Sequence, residues 1–167
     1  MEIKWVDTHC HLQLLNKNLD ENHFKNIEFL VIPGVDVESS SKAKEISSSL
    51  EVESYWSAGL HPHDAKLLSS QRHDLEKLFV EADLIGETGL DFYRNLSTKE
   101  QQRENFLFHL EFSKQLNKPI IIHCRDSFQD TYDLLVEFNN PSSIILHSWT
   151  GGRLSLIHIS EPTRQSP

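Results

Sequence analysis

Short apolar runs alternate along this chain with longer stretches in which apolar residues recur at helical spacing. Six of the runs read as strands: Ile3 to Val6, Phe29 to Ile32, Tyr55 to Leu60, Leu84 to Leu90, Pro119 to Cys124 and Ser143 to His147. Ile120-Ile121-Ile122 and Ile144-Ile145-Leu146 are continuous rather than alternating, as parallel strands covered on both faces require. Between the strands, Ala43, Ile46 and Leu50 form one stripe, and Leu75, Leu78, Phe79 and Ala82 repeat at i, i+3, i+4 and i+7. Ser97-Thr-Lys-Glu100 has capping-box spacing ahead of Phe106, Leu107 and Leu110. Asn117-Lys-Pro119 stops that helix, and Phe128, Tyr132 and Leu135 mark the helix after the fifth strand.

A repeating β-then-α order with short connections predicts a parallel α/β fold. Two architectures compete. An open doubly wound sheet usually carries a Gly-rich phosphate loop after its first strand, whereas that place here holds His9-Cys-His11. Polar residues at the ends of many different strands favour a (β/α)8 TIM barrel, whose site is collected from all its βα loops. The pattern supplies about six of the eight βα units of such a barrel. The expectation is therefore an incomplete barrel over residues 1–152. Residues 153–167 are too short and proline-broken for the next helix and read as a non-native or disordered tail.

Composition narrows the class without changing the fold. A chain of 167 residues, 38% hydrophobic and 25% charged, is suited to one globular domain. Sixteen basic residues against 25 acidic ones give a net charge of −9, which argues against broad polyanion binding through a basic surface. A nucleic-acid substrate stays compatible with it, because bound divalent cations would reverse the sign locally. The N-terminus lacks signal-peptide architecture, and no apolar run approaches the roughly 20 residues of a membrane span. Two cysteines make no disulfide framework, so a reducing cytoplasm is expected, with no obligate protein partner inferred.

The candidate chemistry lies at the strand ends. Asp7, His9 and His11 stand at i, i+2 and i+4, so on a strand all three project to one side. Two imidazoles there can hold a divalent ion while Asp7 orients one of them; the plainer reading leaves Asp7 and one histidine as ordinary polar residues. Cys10 should point the opposite way, and both Cys10 and Cys124 read most simply as small buried hydrophobes. Glu87 is followed and preceded by Gly89 and Gly86, which permit close backbone approach, and its carboxylate can bridge two cations. Asp91 suits helix capping or loop hydrogen bonding as well as catalysis. His123 and His147 end consecutive strands at equivalent positions, which favours ligands over satisfied core histidines. His61 and His63 can contact phosphate, orient ligands or simply sit on a proline-rigidified surface loop. Arg125 suits a bidentate phosphate contact or a rim pair with Asp126. His23, His73, His109 and His158 lie in helical or tail positions with no ligand partners in view and read as solvated.

Asp7-Thr-His-Cys-His11, Gly59-Leu-His-Pro-His63, Gly86-Glu-Thr-Gly-Leu-Asp-Phe-Tyr93, Lys118-Pro-Ile-Ile-Ile-His-Cys-Arg-Asp126 and His147-Ser-Trp-Thr-Gly-Gly152 together resemble, in order and spacing, the TatD family of metal-dependent deoxyribonucleases. The resemblance implies an amidohydrolase-type TIM barrel with one or two divalent ions (Mg, Mn or Zn). It also implies phosphodiester hydrolysis by a metal-activated water, often 3′→5′ exonucleolytic, with DNA as the substrate partner. On this analogy His9 and His11 bind one metal, Glu87 is the bridging and catalytic carboxylate, and His123 and His147 bind the second metal. His61, His63 and Arg125 are left to contact substrate. Family members also carry an aspartate ending the eighth strand, for which this chain has no match, so a C-terminally truncated member of low activity is expected. Two other readings stand beside it: a metal-dependent amidohydrolase acting on C–N or ester bonds, and a non-catalytic remnant.

Overall fold

The computed structural model describes residues 3–15, 21–138 and 143–147. The expected tail, with His158, and the Trp149 segment lie outside the described residues. Among the described residues six strands, β1 (Trp5–Asp7), β2 (Ile27–Pro33), β3 (Glu53–Ala58), β4 (Leu84–Asp91), β5 (Ile120–Arg125) and β6 (Ile144–His147), form one sheet in sequence order. All adjacent pairs are parallel. A doubly wound sheet reverses its strand order at a switch point; this one does not, so the strands are successive staves of a barrel wall. The sheet curls strongly. The rings of His9, just after β1, and His147, ending β6, stack with centroids 3.4 Å apart although their strands stand at opposite ends of the order.

Four helices, α1 (Val37–Ser49), α2 (Leu68–Glu81), α3 (Lys99–Leu116) and α4 (Phe128–Glu137), cover the outside of the curl. Ala43, Leu75, Phe79, Phe106, Leu110 and Leu134 come from their apolar stripes. They pack on Leu30, Ile32, Trp56, Ala58, Ile85, Ile120 and Ile122 of the strands. A second cluster holds strand residues alone, Val31, Leu84 and Ile121 with Phe29 and Ile145, and is the inner face of the curl. Successive strand side chains alternate between faces, so His123, two residues beyond Ile121, and His147, two beyond Ile145, continue that inner face to the mouth. Continuous isoleucine runs thus serve both faces at once, as the hydrophobic pattern predicts.

Local signals place the ends with one shift. The capping box of α3 is formed by Thr98 and Gln101, each side chain accepting the other's backbone N–H, and not by Ser97 and Glu100. Ser97 is buried, and its hydroxyl is committed elsewhere: it donates to His63 O at 2.8 Å and accepts the Lys66 N–H at 3.2 Å. The residue that resembled a cap instead ties down the loop that carries His63. α3 ends where Asn117 takes the left-handed conformation at φ 53°. Lys118 then reaches back and donates to the carbonyls of Phe79, Val80 and Ala82, closing the C-terminus of α2.

Candidate metal centre

Glu87 occupies the centre of the mouth because β4 comes unusually close to its neighbour. Gly86 has φ +109° and Gly89 has φ +134°, both in the region that disfavours L side chains. A Cβ on Gly86 would lie 2.4 Å from Ile121 O, and one on Gly89 would lie 2.1 Å from His123 O. The two glycines let β4 press against the backbone of β5, which brings Glu87 beneath His123. The carboxylate is 2% exposed. His123 Nδ1 lies 3.0 Å and His61 Nε2 3.6 Å from its Oε1. On the other side, His9 Nε2 lies 3.2 Å and His11 Nε2 3.6 Å from Oε2.

The electrostatics keep the central carboxylate charged. Burial alone would raise the Glu87 pKa, but the hydrogen bond from His123 and the close imidazoles of His9 and His61 outweigh it and hold the carboxyl far below its usual range. Burial, reinforced by neighbouring imidazoles, depresses His11, brings His147 down to about 4 and brings His61 to about 3. Near neutral pH these rings are uncharged and present lone pairs, which is the form that binds a metal.

Two trios bring potential ligand atoms within 4.8 Å of one another: His9, Glu87 and His147, and His61, Glu87 and His123. His9 Nε2 is buried without a hydrogen-bond partner among the described residues, although it faces Glu87 Oε2. A buried imidazole nitrogen beside a carboxylate, with no hydrogen bond between them, is what a cation between them would resolve. The donor set of imidazoles with one carboxylate suits Zn or Mn, and a phosphate substrate would also tolerate Mg.

The grouping differs from the sequence expectation in two ways. His147 falls with His9 rather than with His123, because the curl brings the ends of β1 and β6 together. His61, expected at the substrate, stands among the potential ligands, with its Nε2 3.3 Å from His123 Nδ1. Among the described residues Asp7 hydrogen-bonds no imidazole; its Oδ1 accepts the backbone N–H of His9 at 3.1 Å. Strand geometry stops at Asp7, yet Cys10 still faces away, its thiol donating to Val31 O while burial pushes its pKa up to about 12.

Two supports were not legible as such. Asp91, fully buried, accepts the N–H groups of Tyr93 and Arg94 on Oδ1. Its Oδ2 lies 2.7 Å from His63 Nε2 and 3.2 Å from His123 Nε2. Burial alone would raise its pKa, but the Arg94 N–H and His63 more than offset that and hold it at about 2. Loop bonding and contact with the site therefore coexist in one side chain.

The second support corrects a reading. His109 is not solvated but completely buried on α3. Its Nδ1 donates to Asn105 O at 2.7 Å, which leaves Nε2 to accept the Leu60 N–H at 3.0 Å. Asn105 Nδ2 donates to Leu60 O at 2.7 Å, so α3 clamps both polar groups of the residue preceding His61. The available signal was position: His109 is i+3 from Phe106 and belongs to the buried stripe with Leu110 and Ser113. His23 and His73 are exposed as expected. Arg125 lies with Cζ 3.9 Å from the Tyr93 ring centroid, and among the described residues it makes no ion pair with Asp126.

A family model for TatD related DNase matches residues 6–159. An uncharacterized metal-dependent hydrolase of Buchnera aphidicola subsp. Baizongia pistaciae is 34% identical over 161 residues, covering 87% of this chain and 59% of that protein. The 3'-5' ssDNA/RNA exonuclease TatD of Escherichia coli K12 is 34% identical over 129 residues, 74% of this chain and 49% of its own length. The chain thus spans between about half and three-fifths of these two curated relatives. Among solved structures, the crystal structure of YJJV, a TatD homolog from Escherichia coli K12, superposes with TM-score 0.85 at 19% identity, covering 96% of this chain and 66% of that one. A TatD family hydrolase from Entamoeba histolytica gives TM-score 0.78 at 20% identity over 96% of this chain and 63% of its own. These likenesses show the barrel fold, and the match over residues 6–159 shows that the chain belongs to the TatD related DNase family of metal-dependent hydrolases.

Proposed function

We propose that this chain carries most of the metal-binding mouth of a divalent-metal-dependent phosphodiester hydrolase acting from the 3′ end of single-stranded DNA. The observation that carries the reading is one buried carboxylate with imidazoles on both of its oxygens, Glu87 between His9 and His11 on one side and His61 and His123 on the other. Glu87 would hold divalent ions together with His9, His11 and His147 on one side and His61 and His123 on the other. Divalent ions held there would neutralise phosphoryl oxygens and acidify water for an in-line displacement. The protein's own part is to keep Glu87 ionised and His11, His61 and His147 neutral, and to hold the site where α3 and the glycines of β4 have set it.

His63 and Asp91 border the same space. An open pocket of about 340 Å³ is lined by His11, Val35, His61, His63, Glu87 and His123, which is room for a nucleotide-sized group. His63 Nε2 is held by Asp91 Oδ2 at 2.7 Å, and that bond fixes the ring at the edge of the pocket. The substrate assignment draws on the E. coli relative, named as a 3'-5' ssDNA/RNA exonuclease.

The test is release of 5′-mononucleotides from a 3′-labelled single-stranded DNA with Mn or Mg, beside turnover of a cyclic amide under the same conditions. Divalent-dependent release from the 3′ end supports the reading. Amide turnover without nucleotide release would replace it with the C–N hydrolase reading, and release of neither by a metal-loaded chain would leave it a binding remnant.

A further inference from the structure

The loop after β4 places aromatic and basic side chains together at the rim of this mouth. Tyr93 remains 60% exposed, and the Arg125 guanidinium lies over its ring at 3.9 Å from the centroid. Beside it, Lys99 Nζ lies 4.0 Å from the centroid of Phe92, and Arg94 is exposed. Three cations interleaved with two aromatics form a local exception in a chain whose net charge is −9.

This rim is fixed to the site. Tyr93 donates its N–H to Asp91 Oδ1, whose other oxygen touches His63 and His123. Phe92 donates its N–H to Arg125 O at 3.0 Å. Arg125 stands two residues beyond His123 on β5, so the strand turns both side chains the same way, about 7 Å apart. A ring held in place by its backbone, covered on one face by a guanidinium and otherwise exposed, matches the stacking platforms of single-strand binding sites. A guanidinium beside it offers the fork that phosphate oxygens take in pairs.

We propose that Tyr93 and Arg125 form a stacking and phosphate-holding step for the nucleotide next to the bond that is cut. The step requires an unpaired base, so the mouth selects frayed or single-stranded ends. The inference rests on the nucleic-acid reading above and assigns the residues that would read the substrate's base.

The experiment uses the full chain, Tyr93→Ala and Tyr93→Phe, with two single-stranded oligonucleotides that end in 2-aminopurine or in an abasic unit. Binding is followed in Ca, by fluorescence of the 2-aminopurine and by anisotropy. Wild type and Tyr93→Phe should quench the 2-aminopurine, whereas Tyr93→Ala should not and should bind the base-bearing end roughly tenfold more weakly. The abasic end should bind all three proteins alike. Arg125→Ala should lower the slope of log affinity against log salt by about 0.7.

Equal weakening of both oligonucleotides by Tyr93→Ala, or quenching that survives it, overturns the platform. Hydrolysis of the 3′ end is read separately in Mn. Base-dependent binding without hydrolysis keeps the platform and sinks the hydrolase reading. Hydrolysis with no base dependence does the reverse.

Discussion

The buried His109 gives a prediction in which stability and pH are tied together. Burial among Phe79, Phe108 and the α3 backbone brings this imidazole down to about 4, and its Nε2 must stay unprotonated to accept the Leu60 N–H. In the unfolded chain the same group takes a proton near 6.5. Between those two pH values the unfolded state binds more protons, so His109 makes stability fall as pH drops from about 6.5 toward 4 and leaves it flat above. Across the whole window the linkage is worth roughly 3 kcal/mol. His109→Leu removes the titration and strands the Leu60 N–H, at a cost of about 1–3 kcal/mol at pH 8. Urea unfolding of both proteins between pH 4.5 and 8 measures the difference directly. Since His61 and His147 are also depressed and stay in both proteins, subtraction cancels their contribution. The variant should be less stable at pH 8, and the gap should close as the pH falls. A gap that is independent of pH would refute the neutral, accepting role of His109.

Three further outcomes are expected. Glu87→Gln keeps the shape of the buried group but removes its charge, so the variant should lose the stabilisation by Mn or Zn, which in wild type reaches about 2.7 kcal/mol at 100 times Kd. Retained metal stabilisation in a thermal unfolding assay would remove Glu87 from the centre of the site. Gly89→Ala places a Cβ against His123 O on a φ of +134°, and should cost more than about 2 kcal/mol in chemical denaturation; a neutral result would mean that β4 and β5 can separate freely. Lys118→Met removes three carbonyl contacts at the end of α2 and should cost about 1–2 kcal/mol, read as a lower urea midpoint with unchanged slope.

How much of this was legible follows from the range over which each signal acts. The strand runs and helical stripes are local, and the six strands and four helices fall where the hydrophobic pattern predicts them. The barrel sense was legible too, because polar side chains recur at the ends of successive strands, and the observed strand order runs without a reversal. Partner choice was not. That His147 meets His9 depends on the total curl of six strands, a quantity summed over the whole sheet and carried by no single segment. The Ser97 hydroxyl shows the same limit at short range. Its spacing to Glu100 fits a cap, but a half-buried neighbour 34 residues away, the carbonyl of His63, takes the hydroxyl instead.

The glycines of β4 show why a carboxylate can sit at the meeting point of so many imidazoles. The histidines around Glu87 come from the exits of four strands, His9 and His11 after β1, His61 after β3, His123 in β5 and His147 in β6, so their meeting is set by the sheet, and the central strand serves as the common reference. Glu87 therefore needs a backbone that approaches β5 more closely than side chains permit, and Gly86 and Gly89 remove the two Cβ atoms that would collide with it. The adjoining β3 exit is held from the opposite side, where Asn105 and His109 clamp Leu60 against α3. Position thus reaches His61 through the helix layer and His123 through the sheet, and both converge on one oxygen of Glu87. A substitution in either layer should then disturb metal affinity without touching a ligand, and His109→Leu and Gly89→Ala test the two routes separately.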